Sequence, residues 1–198
     1  MQINNSNVFS HRMHSHWKRR MGKVNKLTTN RLTIRNFLSD DTEKCLEGWG
    51  RDAGLGKYII GYPMDYSSMD NFVCALAENK NAWVIEENGS GKCIGYITMD
   101  IPYEMLEIAE IGYVIGEKYH HKGYAFEAVN KIIEYYLNDK NMYMIEAKYN
   151  SDNEPSGRLL EKLGFRKDGI LRERRIDMMT GNRKDLVICS IKKPEFGK

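Results

Sequence analysis

The 198-residue chain is long enough for one domain with an extension, and with 41% hydrophobic and 11% aromatic residues it can bury a core, which excludes global disorder. Its net charge of +3 hides an asymmetry: residues 1–27 hold six Lys and Arg and no acid, leaving the remainder at −3. A mildly acidic body argues against a nucleic-acid partner, and no apolar run reaches the roughly 20 residues of a membrane helix. Residues 1–27 are polar throughout, so they are no secretory signal. They are expected to form a flexible basic arm, "HRMHSHW" included, ahead of a domain at 28–198. Cys45, Cys74, Cys93 and Cys189 are widely spaced and make no CxxC pair. This predicts reduced, mostly buried thiols in a cytoplasmic protein, with no metal site.

Ordered structure is expected from about Thr29. "RLTIRNFL" alternates Leu32 and Ile34 with polar residues, as a half-buried strand does. Asp40 and Asp41 could cap a helix running through Cys45 and Leu46, and Ser68 could open a second with Phe72, Val73 and Leu76 on one face. The glycine-rich stretch between them, around residues 51–67, reads as loop. Three strand patterns follow, "NAWVIEEN", "KCIGYITMDI" and "LEIAEIGYVIG", the first two joined by a "GSG" hairpin signal. After Gly123, Phe126, Val129, Ile133, Tyr136 and Leu137 recur at helical spacing. "MYMIEAKYN" is a fifth strand. Asn153 then looks like an N-cap with Pro155 in the first turn, Leu159, Leu160 and Leu163 face inward, and Gly164 suits a left-handed stop. Two last strands flank "MTGNRKD". The order β-α-α-β-β-β-α-β-α-β-β predicts an α+β domain.

The strand-to-helix passage "GYVIGEKYHHKGYAFEA" is the first pointer to chemistry. A helix start offers backbone N–H groups without partners and a positive dipole end, Gly123 permits close approach, and Lys122 adds charge. That is a recipe for holding phosphate. Neither GxxxxGK[ST] nor a strand-linked GxGxxG is present.

Four segments in order, "TNRLTIRNF", "AEIGYVI", "HHKGYAFEA" and "NEPSGRLLEKLGFRKDGILRE", resemble the GNAT superfamily of acyl-CoA-dependent N-acyltransferases over residues 29–191. The nearest branch resembles the enzymes that acetylate N-termini of ribosomal proteins. The resemblance implies a GNAT-like fold: a mixed, mostly antiparallel sheet of about seven strands, flanked by about four helices and splayed between the fourth and fifth strands. It implies acetyl-CoA as co-substrate, with its pantetheine arm in the splay. Tyr113, Val114 and Ile115 would give it backbone contacts, and His120, His121, Lys122, Gly123, Tyr124 and Ala125 would cradle the pyrophosphate. His120 departs from the family's [RQ]xxGx[GA] loop, where Arg or Gln is usual. Asn153 would bond to pantetheine, alongside or in place of capping its helix, and Ser156 would sit near the sulfur.

The implied reaction is aminolysis of a thioester by direct attack. The amine must be neutral to attack, an oxyanion forms, and the thiolate leaves more readily if protonated. Glu110 is the candidate base and Ser156 the candidate proton donor, with Tyr149 and Tyr124 behind it. A backbone N–H near Val114 or Ile115 would meet the oxyanion. Glu104, Glu107 and Glu110 could attract a cationic amine. The acceptor, a protein N-terminus or a small-molecule amine, would be selected by the loop around residues 51–67 and by the last hairpin. A homodimer and a catalytically idle acyl-CoA-binding role both stay open at this level.

Overall fold

Alternation along the strands decides which side of one sheet each helix covers, and the two sides have different contents. A computed structural model of the chain describes residues 26–177 and 180–197. Its strands are β1 (Lys26–Thr28), β2 (Leu32–Asn36), β3 (Ala82–Glu87), β4 (Cys93–Tyr103), β5 (Ile108–Ile115), β6 (Met144–Asn150), β7 (Arg166–Ile176) and β8 (Arg183–Lys192). They form one sheet in the order β1-β2-β3-β4-β5-β6-β8-β7, antiparallel except where β5 and β6 run parallel. The helices are α1 (Thr42–Cys45, prolonged by a wide turn over Leu46–Gly50), α2 (Tyr66–Glu78), α3 (Tyr124–Glu134, prolonged over Tyr135–Asp139) and α4 (Glu154–Lys162).

Ile97, Ile111, Ile115, Ile145 and Cys189 point to one face, where α3 adds Val129, Ile132 and Ile133 and α4 adds Leu160. Val84, Tyr96 and Val114 point to the other, where α1 and α2 bring Cys45, Met69 and Val73. Residues of β5 therefore serve opposite sides by parity: Ile111, Tyr113 and Ile115 face α3 and α4, whereas Glu110, Gly112 and Val114 face α1 and α2.

The α+β architecture, the four helices and the splayed pair agree with the sequence reading, with one strand more than the expected seven. The extra strand is β1, whose three residues pair Lys26↔Arg35 through Thr28↔Thr33. Lys26 and Leu27 had been assigned to the basic arm, and three residues are too few to show alternation. Residues 1–25, with "HRMHSHW", lie outside the described residues. Helix α2 begins at Tyr66, ahead of the expected Ser68. Asp65 is its cap, with a side chain that accepts from Ser68 N at 2.7 Å. Asp41 precedes α1 but does not cap it through its side chain. Gly164 has φ +90° after α4, as a left-handed stop requires. The four cysteines are free thiols, three of them buried. No helix among the described residues is long and apolar enough to cross a membrane.

The Asp41 carboxylate is instead occupied by Arg35, whose Nη1 and Nη2 donate to its two oxygens at 2.7 Å each, while Nη2 also reaches Glu86 at 2.5 Å. Asp41 is 1% exposed. Asp41, Glu86 and Cys93 place donor atoms within 4.8 Å of one another, but Arg35 already holds both carboxylates, so a metal would have to displace a fixed cation. Removing Arg35 strands a buried charge. An Arg35→Met variant is expected to lose about 3–5 kcal/mol of stability in urea unfolding. A loss below about 1 kcal/mol would show that water solvates Asp41 in place of the guanidinium.

Candidate active site

The two strands of the parallel pair start together and then part. Pairing runs from Ile108↔Met144 to Ile111↔Ala147 and stops there, although β5 continues to Ile115 and β6 to Asn150. Beyond that point β6 pairs only with β8, and β5 only with β4. The gap thus exposes one backbone edge of Gly112, Tyr113, Val114 and Ile115. Such an edge is a row of donors and acceptors for an extended amide ligand.

At the top of the gap the chain passes His120 and His121 into α3. His121 has φ +59° and Gly123 φ +79°, two left-handed residues that turn the chain so that the helix start points back over the strand end. The loop is tied from outside by Arg31. Its Nη1 donates to the Lys122 carbonyl at 2.9 Å, its Nε donates to Glu127 in the first turn of α3 at 2.7 Å, and its guanidinium lies 4.6 Å from the Tyr124 ring centre. Thr29 Oγ1 also donates to Glu127, at 2.5 Å. Arg31 was legible only as the first residue of a strand pattern, yet it ties down the loop that leads into α3.

The predicted cradle residues come together, with their side chains sorted by partner. The His120 ring is turned back, its Nε2 lying 2.8 Å from the Ile115 carbonyl, which leaves Nδ1 and the backbone to a ligand. The Tyr124 hydroxyl donates to Glu87 at 2.5 Å, which takes it out of contention as a proton donor. That bond raises the pKa of Tyr124, with burial adding to it, and lowers the pKa of Glu87 together with a hydrogen bond from Ser90. Lys122 lies 5.5 Å from the Tyr119 ring centre and Ala125 follows in the first turn of α3. Asn153 divides its amide: Oδ1 accepts from Ser156 N at 3.3 Å as a helix cap, leaving Nδ2 available to a ligand.

Ser156 reaches the gap from the first turn of α4. Its Oγ lies 2.8 Å from the hydroxyl of Tyr113. Burial pushes Tyr113 up to about 12, moderated by the bond to Ser156. Tyr149 lies against the same turn, 3.1 Å from where a side chain on Gly157 would begin. Glu110 is on the other face of the sheet, ion-paired with Lys148 of β6.

Glu110 does have acidic neighbours, but not the expected ones. Glu104 sits in a single 3-10 turn and Glu107 is a left-handed turn residue. Register instead aligns Asp100↔Glu110 and Glu110↔Glu146, a row of three carboxylates across β4, β5 and β6 with Lys148 beside it. Like charges on adjacent strands destabilise a sheet. The loop around residues 51–67 covers the same face. Leu55, Ile59, Tyr62 and Met64 pack on the cluster that holds Val114, and Asp52 accepts from Glu117 N at 2.8 Å. Lys184 of β8 holds Asp152 at 2.8 Å and joins the last hairpin to the turn before α4.

Residues 31–166 match the family model described as "Acetyltransferase (GNAT) domain". The chain belongs to the GNAT acetyltransferases. It is 31% identical over 177 residues to the uncharacterized N-acetyltransferase p20 of Bacillus licheniformis, covering 86% of this chain and 97% of the relative. A GNAT-family acetyltransferase structure from Bacillus anthracis superposes with a TM-score of 0.78 at 26% identity, covering 86% of this chain and 99% of that one. The Escherichia coli (strain K12) enzyme named [ribosomal protein uS5]-alanine N-acetyltransferase is 34% identical over 86 residues, 43% of each chain. This acetyltransferase is acetyl-CoA-dependent and acts on amines, and its splayed β5–β6 pair is the family's sheet.

Proposed function

We propose that the enzyme transfers acetyl from acetyl-CoA to a cationic primary amine by direct attack inside the β5–β6 gap. Glu110 acts as base and Ser156 protonates the departing thiolate. The observation that carries this reading is the parity of β5: Glu110 and the Tyr113–Ser156 pair lie on opposite faces of the sheet, on either side of the point where pairing ends. The amine comes in from the face covered by residues 51–67, and the thiolate leaves toward the first turn of α4. Acetyl-CoA lies with its pyrophosphate on the backbone of His121, Lys122, Gly123, Tyr124 and Ala125, and its pantetheine along Tyr113, Val114 and Ile115 within reach of Asn153 Nδ2. A backbone N–H near Val114 or Ile115 receives the oxyanion.

Acceptor choice follows from charge. The row Asp100, Glu110 and Glu146, partly offset by Lys148, favours an acceptor with positive charge beyond its reacting amine, such as a basic protein N-terminus or a small polyamine. The partial match to an alanine N-acetyltransferase is compatible with the peptide. The test is a panel of dicationic, monocationic and neutral-tailed amines, each followed by CoA release. Dications should lead in kcat/KM, and the lead should shrink as salt rises from about 0.01 to 1 M across the fall in screening length. A preference for anionic acceptors, or selectivity indifferent to salt, would overturn the assignment of acceptor class.

A further inference from the structure

The reaction as described uses only one of two hydroxyls that touch. A hydroxyl has one proton to give and can accept twice. Among the described residues, the one hydrogen-bond partner of the Tyr113 hydroxyl is Ser156 Oγ, at 2.8 Å. Tyr149 and Cys189 face Tyr113 from β6 and β8. The Cys189 thiol is spent on the Ala147 carbonyl at 3.4 Å. Two arrangements of the protons are possible. If Ser156 donated to Tyr113, the tyrosine proton would have no partner among the described residues, and a donor left so inside a protein costs about 1–3 kcal/mol. If Tyr113 donates, its proton is satisfied and the serine proton is free to point elsewhere. The gap that opens where β5 and β6 stop pairing is one such direction.

We propose that Tyr113 is a positioning residue whose hydroxyl donates to Ser156 Oγ, aiming the serine proton at the sulfur of the departing CoA. This rests on the reading that Ser156 protonates the thiolate. As the tetrahedral intermediate collapses, the C–S bond breaks with its electron pair on sulfur. Ser156 Oγ–H gives its proton to that sulfur, and the charge left on Oγ is held by the Tyr113 O–H until water returns a proton. A protonated amine loses one proton to Glu110 before attack and a second from the tetrahedral intermediate; both pass to water, one balancing the proton that Ser156 regains and the other being released. Burial keeps Tyr113 protonated across the working pH range, so its donor role does not titrate away.

The test is a cycle of Tyr113→Phe, Ser156→Ala and the double variant, assayed with acetyl-CoA and with an aryl thioacetate, whose thiolate leaves without a proton. Loss of a hydrogen bond to a charged group predicts a fall in kcat of about 10- to 100-fold for Tyr113→Phe with acetyl-CoA. KM for acetyl-CoA and the melting temperature should be unchanged. The double variant should fall no further than Ser156→Ala, because the two hydroxyls act as one unit. With the aryl thioester, Tyr113→Phe should match wild type. A wild-type rate for Tyr113→Phe with acetyl-CoA, losses that multiply in the double variant, or an equal loss with both donors would each overturn the role. If Ser156→Ala also kept the wild-type rate with acetyl-CoA, the Ser156 assignment would fall with it, whereas retained activity in Tyr113→Phe alone would leave that assignment standing.

Discussion

A Gly123→Val variant is expected to fold and to lose the thermal stabilisation that acetyl-CoA gives the wild type. Gly123 opens α3 at φ +79°, a conformation that disfavours any L side chain and a β-branched one most of all. The strain of about 1–3 kcal/mol falls at an exposed helix start, where a Cβ would meet only Arg31 Nη2 at 3.4 Å, so the domain should tolerate it. The ligand cannot. A pyrophosphate held by backbone N–H groups needs the chain within hydrogen-bond distance, and two added methyl groups stand on the surface it must approach. At acetyl-CoA concentrations near 100 times Kd the wild type should gain about 2.7 kcal/mol, a rise of roughly 5–10 °C in Tm for a domain of this size. The variant should show less than about 1 °C. An undiminished shift in a folded Gly123→Val protein would mean that the anion is held elsewhere.

The difference between what the residues announce and what they conceal is one of range. Strands β2 through β6 were legible because each is a local apolar pattern, alternating in β2 and near-continuous in β3 and β4, and α3 and α4 because their apolar residues repeat on one side with a glycine or asparagine at the start. The proposed cradle is local in the same way: His121, Lys122 and Gly123 are consecutive. What escaped depends on pairing. Arg31 meets Lys122 and Glu127 only because β2 lies beside the start of α3, and nothing local marks it. Asp100 and Glu146 join Glu110 only through the register of three strands, while Glu104 and Glu107, nearer along the chain, lie in the turn before β5. Tyr113 entered the sequence reading as an expected backbone contact, but its hydroxyl acquires a partner only when α4 docks against β5. Asp41 illustrates a competing local signal, since an aspartate before a helix reads as a cap until Arg35 claims it.

Glu110→Gln is expected to lower turnover at neutral pH by about 10²-fold, within the range for removing a general base, while leaving acetyl-CoA affinity unchanged. The fold should be indifferent to the substitution. Glu110 and Lys148 are each about one-third exposed, and an ion pair so placed contributes at most about 1 kcal/mol. The effect should come from the amine. An α-amino group with a pKa of about 8 arrives mostly protonated at pH 7, and a lysine-like amine near 10.4 almost wholly so. The carboxylate takes that proton. As pH rises through the pKa of the acceptor, the neutral amine becomes abundant and the base becomes redundant, so the deficit should shrink to below about 10-fold by pH 9 with an α-amine. With a lysine-like acceptor it should persist to higher pH, because its free amine appears later. Comparing kcat/KM of wild type and variant from pH 6.5 to about 9.5, on one acceptor of each kind, measures both slopes. A deficit of the same size at every pH and for both amines would place Glu110 among the groups that bind the acceptor and leave proton removal to solvent.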